Sequence, residues 1–182
     1  YTSGLDRLMP AILVKYDAAG LNNGTSWTDA YTSLQSALDE AVSGVDIWVA
    51  KGTYKPSYDY GLGGERFKHF RLKNGVTLYG GFAGDEEYAG QRADYGQGEA
   101  NETILSGDIG VEGDITDNCY HVIYNLGTDA TAAIDGFTVT KGYANGTNPH
   151  NRGGGMFHNN TSSTIRNVTF YSNRAQGYGG GL

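Results

Sequence analysis

A chain of 182 residues is long enough for one domain with a real core. Its 29 glycines follow no G-x-y period, which excludes collagen, and its many Val, Ile, Tyr and Thr residues argue against a disordered chain. The formal net charge of -7, with no basic run, excludes nucleic acid as the expected partner, because phosphate binding needs clustered Lys and Arg.

The first stretch with character, Ala11–Val14, is strand-like and too brief for a signal-peptide core. Over residues 29–42 apolar side chains fall at Ala30, Tyr31, Leu34, Ala37, Leu38, Ala41 and Val42, a spacing that predicts an amphipathic helix. Ser26 with Asp29 reads as a capping box at its start, and Gly44 as its stop. After that, short apolar segments alternate with Gly, Asn and Asp, at residues 46–50, 70–72, 76–78, 103–105, 121–124, 134–140 and 165–171. Punctuation of this kind predicts turn-rich β structure. No run of 18 apolar residues occurs, so no membrane span is expected, and the lone Cys119 permits no internal disulfide.

Two segments repeat. Ile134-Asp-Gly-Phe-Thr-Val-Thr140 aligns with Ile165-Arg-Asn-Val-Thr-Phe-Tyr171 at an offset of 31, and the triplets Gly153-Gly-Gly-Met156 and Gly179-Gly-Gly-Leu182 align at an offset of 26. A further pair, Val76-Thr-Leu-Tyr-Gly80 and Thr103-Ile-Leu-Ser-Gly107, aligns at an offset of 27. Periods in this range, with insertions confined to loops, mark a solenoid whose coils stack to bury a shared core. Ile134 is then expected above Ile165 and Phe137 above Val168, with Thr138 and Thr169 pointing outward. The fold class is all-β, a parallel β-helix. The N-terminal strand and helix (1–45) are expected to cap coils at 46–182, all in one domain. The helix would cover unpaired strand groups at the open end.

The segments Asn23-Gly-Thr-Ser-Trp-Thr-Asp-Ala30, Leu34-Gln-Ser-Ala-Leu38 and Asp46-Ile-Trp-Val-Ala-Lys-Gly-Thr-Tyr54 resemble the start of bacterial β-helix surface proteins of the pectate-lyase-like superfamily. Val76-Thr-Leu-Tyr-Gly-Gly-Phe-Ala-Gly84, Ile104-Leu-Ser-Gly-Asp-Ile109 and Asp117-Asn-Cys-Tyr-His-Val122 extend the likeness. The late coils, with Gly-Gly-Gly-Met156 and Phe170-Tyr-Ser-Asn173, are similar to the GGA[ILV] and FxxN repeats of chlamydial polymorphic outer-membrane proteins. The resemblance implies a right-handed β-helix, secreted or held at the surface of a Gram-negative bacterium. It leaves the activity open, because lyases, hydrolases, adhesins and spacers share that fold.

Three sets of residues carry possible chemistry. Asp108, Glu112, Asp114, Asp117 and Asn118 place hard oxygen ligands on a Gly-rich loop, as Ca²⁺ requires, although the spacing matches no EF-hand and a solvated, self-capping turn explains them as well. Lyase chemistry needs a tuned base and a group that neutralises a uronate; Lys141, His150, Arg152, Arg166 and Arg174 are the available side chains. Against that, Asp135 and Arg166 occupy equivalent positions on neighbouring coils, where a cross-strand ion pair accounts for both. Tyr54, Tyr58 and Tyr60 offer rings for sugar stacking, or pack over the first coils.

The leading expectation is therefore a structural or adhesive surface module that needs no cofactor, with a polysaccharide lyase or hydrolase as the alternative. The chain stops in mid-coil at Leu182. It is read as the N-terminal fragment of a longer protein, whose open end takes further coils or another chain.

Overall fold

Period-two alternation turns every second strand residue inward, and those inward residues here stack into columns, one from each coil. The computed structural model describes residues 11–182; the part of the expected N-terminal unit at 1–10 lies outside the described residues. In chain order the elements are β1 (Ala11–Val14), α1 (Leu34–Glu40), β2 (Asp46–Ala50), β3 (Gly52–Tyr54), β4 (Thr77–Phe82), β5 (Thr103–Ser106), β6 (Ile123–Leu126), β7 (Ala133–Asp135), β8 (Thr138–Thr140), β9 (Tyr143–Ala144), β10 (Met156–Asn159), β11 (Thr164–Arg166), β12 (Thr169–Tyr171) and β13 (Arg174–Ala175).

Every strand pair among the described residues is parallel, and the chain winds as a β-helix. The first face is a five-stranded sheet in the order β1-β2-β4-β7-β11, and the second runs β3-β5-β8-β12. A third face pairs β6 with β10, and Phe70 bridges to Ile123 beside them. The columns follow from register. Ile12, Ile47, Leu78, Ile134 and Ile165 stack on the first face. Tyr54, Leu105, Val139 and Phe170 stack on the second, and Phe70, Ile123 and Met156 on the third. Ile47, Leu78, Leu105, Ile123, Ile134, Val139 and Met156 are fully buried. Each such side chain contributes about 1.5–3 kcal/mol relative to exposure.

The repeat at 134–140 and 165–171 is thus a pair of neighbouring coils in the expected register. The glycine triplets also stack: the Gly154, Gly155 and Met156 N–H groups donate to the Gly179, Gly180 and Gly181 carbonyls at 3.2, 3.0 and 2.8 Å. A Cβ on Gly154 would run into the Arg174 carbonyl of the next coil, so only glycine allows this approach. Asn173 stitches the same corner, donating to the Val139 carbonyl at 2.8 Å and accepting from the Gly142 N–H at 3.0 Å.

Three expectations need correction. The segments at 76–80 and 103–107 do not stack: β4 lies in the first sheet and β5 in the second, so they are successive faces of one coil. The loop at 83–102 separates them by a distance that imitates a coil period. The helix is shorter than 29–42. Tyr31 instead pairs alongside Val14, its N–H donating to the Leu13 carbonyl and its carbonyl accepting from the Lys15 N–H, both at 2.9 Å. The outer edge of β1 is therefore covered by extended chain, and these strand hydrogen bonds override helical spacing. α1 starts after Ser33, whose Oγ accepts from the Ser36 N–H, and ends at Ala41, while Ser26 and Asp29 exchange hydrogen bonds within a loop. α1 buries Leu34, Ala37 and Leu38 in the core. Finally, Asp135 lies beside Arg166 in register, yet its carboxylate pairs with Arg92 at 2.5 Å; Arg92 comes from the 83–102 loop.

Candidate functional site

The corner after the second face is where charged groups from successive coils meet. Ser106, Thr140 and Tyr171 are in register, so the residues that follow them line one edge of the rod. Lys141 and Ser172 turn that corner with φ of 62° and 55°. Such left-handed backbone throws the side chain out of the strand alternation. Asp108, Asn118, Lys141, Gly142, Ser172 and Arg174 then surround a cleft of about 160 Å³.

The cleft is electrostatically closed on one side. Lys141 Nζ lies 2.6 Å from Asp108 Oδ2. Burial alone pushes the Asp108 pKa up, but the hydrogen bonds from Lys141 and the Gly113 N–H, with the Lys141 charge, outweigh it and hold the carboxyl below its usual range. The ion pair occupies the Lys141 amine with Asp108 and turns it away from the role of a free base. Arg174 is exposed, and among the described residues it joins no ion pair. Asn118 is 5 % exposed and its Oδ1 is buried without a hydrogen-bond partner.

The other residues proposed for catalysis are elsewhere. Arg166 is exposed on the outside of the first face, and Arg152 stands 5.5 Å from the Tyr178 ring near the last coil. His150 lies in a loop, with its Nδ1 2.9 Å from His121 Nε2. Of the five, only Lys141 and Arg174 share a cleft.

The acidic loop spends its oxygens locally. Asp114 accepts from the Thr116 N–H and hydroxyl at 2.9 and 2.7 Å, capping a short helical turn, and these bonds hold its pKa down. Asp117 accepts from the Val111 N–H at 2.7 Å, and Glu112 is exposed. Among the described residues, no three His, Cys, Asp or Glu side chains gather as a metal would require.

The tyrosines divide. Tyr54 is 3 % exposed and donates its hydroxyl to the Ala50 carbonyl, so its ring belongs to the core and offers nothing to a sugar. Tyr60 stacks on His69 with Arg71 3.9 Å over its ring, and its hydroxyl accepts from Gln35. Tyr58 is exposed, edge-on to Tyr60.

A second cluster escaped sequence reasoning: His69, His121 and His150 converge with Phe67, Tyr120, Tyr124 and Phe157 around the third face. Burial lowers the pKa of His69 and His121 to about 4. Nothing in the spacing announces this cluster, because its three histidines come from three separate segments outside the strands. Cys119 is buried and its thiol is pushed up to about 12 by burial, so it is unreactive.

The family model described as a protein of unknown function (DUF1565) matches residues 18–179. The chain belongs to the DUF1565 family. No curated protein and no solved structure matches it significantly. What this DUF1565 chain can bind or transform therefore rests on its own side chains. No helix among its described residues is long and apolar enough to cross a membrane.

Proposed function

We propose that this chain is a structural β-helix module of a secreted or cell-surface protein, a rod that displays its loops to an extracellular glycan or protein partner. One observation carries the reading: two buried carboxylates, Asp108 and Asp135, are each neutralised by a cation from another segment of the rod. Lys141 is held by Asp108, and Arg92 by Asp135 in a nearly water-free contact. Charges paired in this way stiffen a rod. The sequence likeness to bacterial β-helix surface proteins supports the location.

A second reading has its own observation. Asp108, Lys141 and Arg174 reach one cleft from successive coils, as a polysaccharide lyase or hydrolase would arrange its acid, base and anion-binding groups. The exposed guanidinium of Arg174 and the orphan amide oxygen of Asn118 could then receive a sugar's carboxylate and hydroxyl. Affinity electrophoresis through gels cast with acidic and neutral polysaccharides tests the display reading. Retardation that survives Lys141→Ala but weakens with changes on exposed loops supports it. Retardation abolished by Lys141→Ala would move the function to the cleft.

A further inference from the structure

Three of the four histidines gather on one edge of the rod, and the proposed display function uses none of them. His121 Nδ1 lies 2.9 Å from the Gly153 carbonyl oxygen. A carbonyl only accepts, so Nδ1 carries the proton and the neutral ring keeps a bare Nε2. That Nε2 is 2.9 Å from His150 Nδ1, which must therefore donate. His150 belongs to the loop at 145–152 between β9 and β10. Its other links to the rod are few. Arg66 donates to Asn145 Oδ1, the Gly177 N–H donates to the Asn151 carbonyl, and the His150 ring meets Phe67 edge-on at 4.9 Å.

The surroundings hold positive charge. Arg66 lies 4.2 Å over the Tyr120 ring, which itself tilts against His150. Arg71 donates through Nε to His69 Nε2 at 3.0 Å, while His69 Nδ1 is 2.6 Å from the Phe67 carbonyl. The loop itself adds Arg152; Tyr124 and Phe157 contribute rings. Among the described residues no carboxylate forms an ion pair with these histidines. Asp59, the acid that acts on His69, already accepts from the Gly61, Gly63 and Gly64 N–H groups.

We propose that the His121–His150 pair is an acid-operated latch that holds the 145–152 loop on the rod when neutral and releases it when both rings are protonated. The proton count makes it a two-step device. A first proton enters at His150 Nε2 and leaves Nδ1–H donating to His121, so the latch stays shut. A second proton can only enter at His121 Nε2, where it points at the Nδ1–H of a cation. Donor then faces donor beside Arg66, with no anion to relieve it. Burial holds both rings below their ordinary range, so the latch is closed at neutral pH. Release uncovers the rings of Tyr120 and Tyr124, against which His150 packs.

Amide hydrogen exchange at pH 7 and pH 4, corrected for the intrinsic rate, tests this on the whole chain. The expected result is a loss of protection of at least tenfold in the 145–152 loop and at the Gly177 amide through a local opening, at a free energy below that of the β8 amides, which lose no more than the fall in global stability measured by urea at the same pH. His150→Gln, which takes up no proton, removes the pH response of the loop. Histidine-ring NMR titration of the unaltered protein supplies a second readout, in which His121 and His150 titrate in two coupled steps. Equal loop protection at both pH values overturns the proposal, as does a loop that opens at the same free energy as β8 at both pH values, which would mean exchange through global unfolding alone. So does a His150→Gln loop that responds like the unaltered one, or independent titration of both rings near 6.5.

Discussion

Arg92 reaches out of the 83–102 loop to set Nη2 2.5 Å from Asp135 Oδ1, and each side chain is only 11 % exposed. The guanidinium also lies 3.8 Å from the Tyr95 ring of its own loop and 5.5 Å from the Tyr79 ring of β4, so the loop and the first sheet are joined by charge and by a cation–ring contact. Asn167 Nδ2 from the next coil adds a hydrogen bond to the same carboxylate oxygen at 3.2 Å.

Removing Arg92 strands a nearly buried carboxylate. Arg92→Ala is expected to destabilise the fold by about 3–5 kcal/mol in urea unfolding. Arg166→Ala, beside the same aspartate in register, is expected to change stability by less than about 0.5 kcal/mol, because Arg166 is exposed and makes no ion pair there. Equal costs for the two would mean that Asp135 has the other partner.

The helix α1 is expected to be integral to the core. Leu38 is 1 % exposed, and Leu38→Ala should cost about 2–5 kcal/mol, the range for truncating a buried leucine. An unfolding midpoint that barely moves would make the helix peripheral.

The coils were legible wherever one coil resembles the next without interruption. Ile134 and Ile165, or Gly153 and Gly179, stand in the same chemical surroundings, so the same residue types recur at the same spacing. Legibility failed where an insertion of nearly one coil length intervened, as between Leu78 and Leu105, and where tertiary hydrogen bonds outcompeted local spacing, as at Tyr31. The corner cleft was visible only as separate residues: Asp108, Lys141 and Arg174 were named for two different chemistries, and it is the stacking that makes Asp108 and Lys141 partners. The three histidines left no trace as a group, because they lie outside the strands in three separate segments whose contacts have no period.

The buried histidines set a pH dependence whose sign is fixed. His69 and His121 have native pKa values of about 4, below the unfolded value near 6.5. The unfolded chain therefore binds protons first as the solution is acidified. Stability is full above about pH 6.5, falls between roughly pH 6.5 and 4, and levels off below in respect of these groups. The two rings together are expected to remove a few kcal/mol over that window. Urea midpoints at pH 7, 5.5 and 4.5 check it; a midpoint that holds constant or rises on acidification contradicts the burial of both rings.

Calcium is expected to have little influence on the melt. Asp108 faces the Lys141 ammonium, and Asp114 and Asp117 serve backbone N–H groups. Melting temperatures in millimolar calcium and in millimolar chelator should agree within error. A clear rise with calcium would show that the 108–118 loop rearranges into a site.

Turnover tests the central claim, that the charges between coils serve rigidity and display. The chain is incubated at length with a panel of acidic and neutral polysaccharides, with unsaturated-product absorbance and new reducing ends as readouts. Product at the level of the blank is expected for the unaltered chain and for Lys141→Ala alike. Product from the unaltered chain that disappears in Lys141→Ala, with folding unchanged, would contradict it and make the corner cleft an active site.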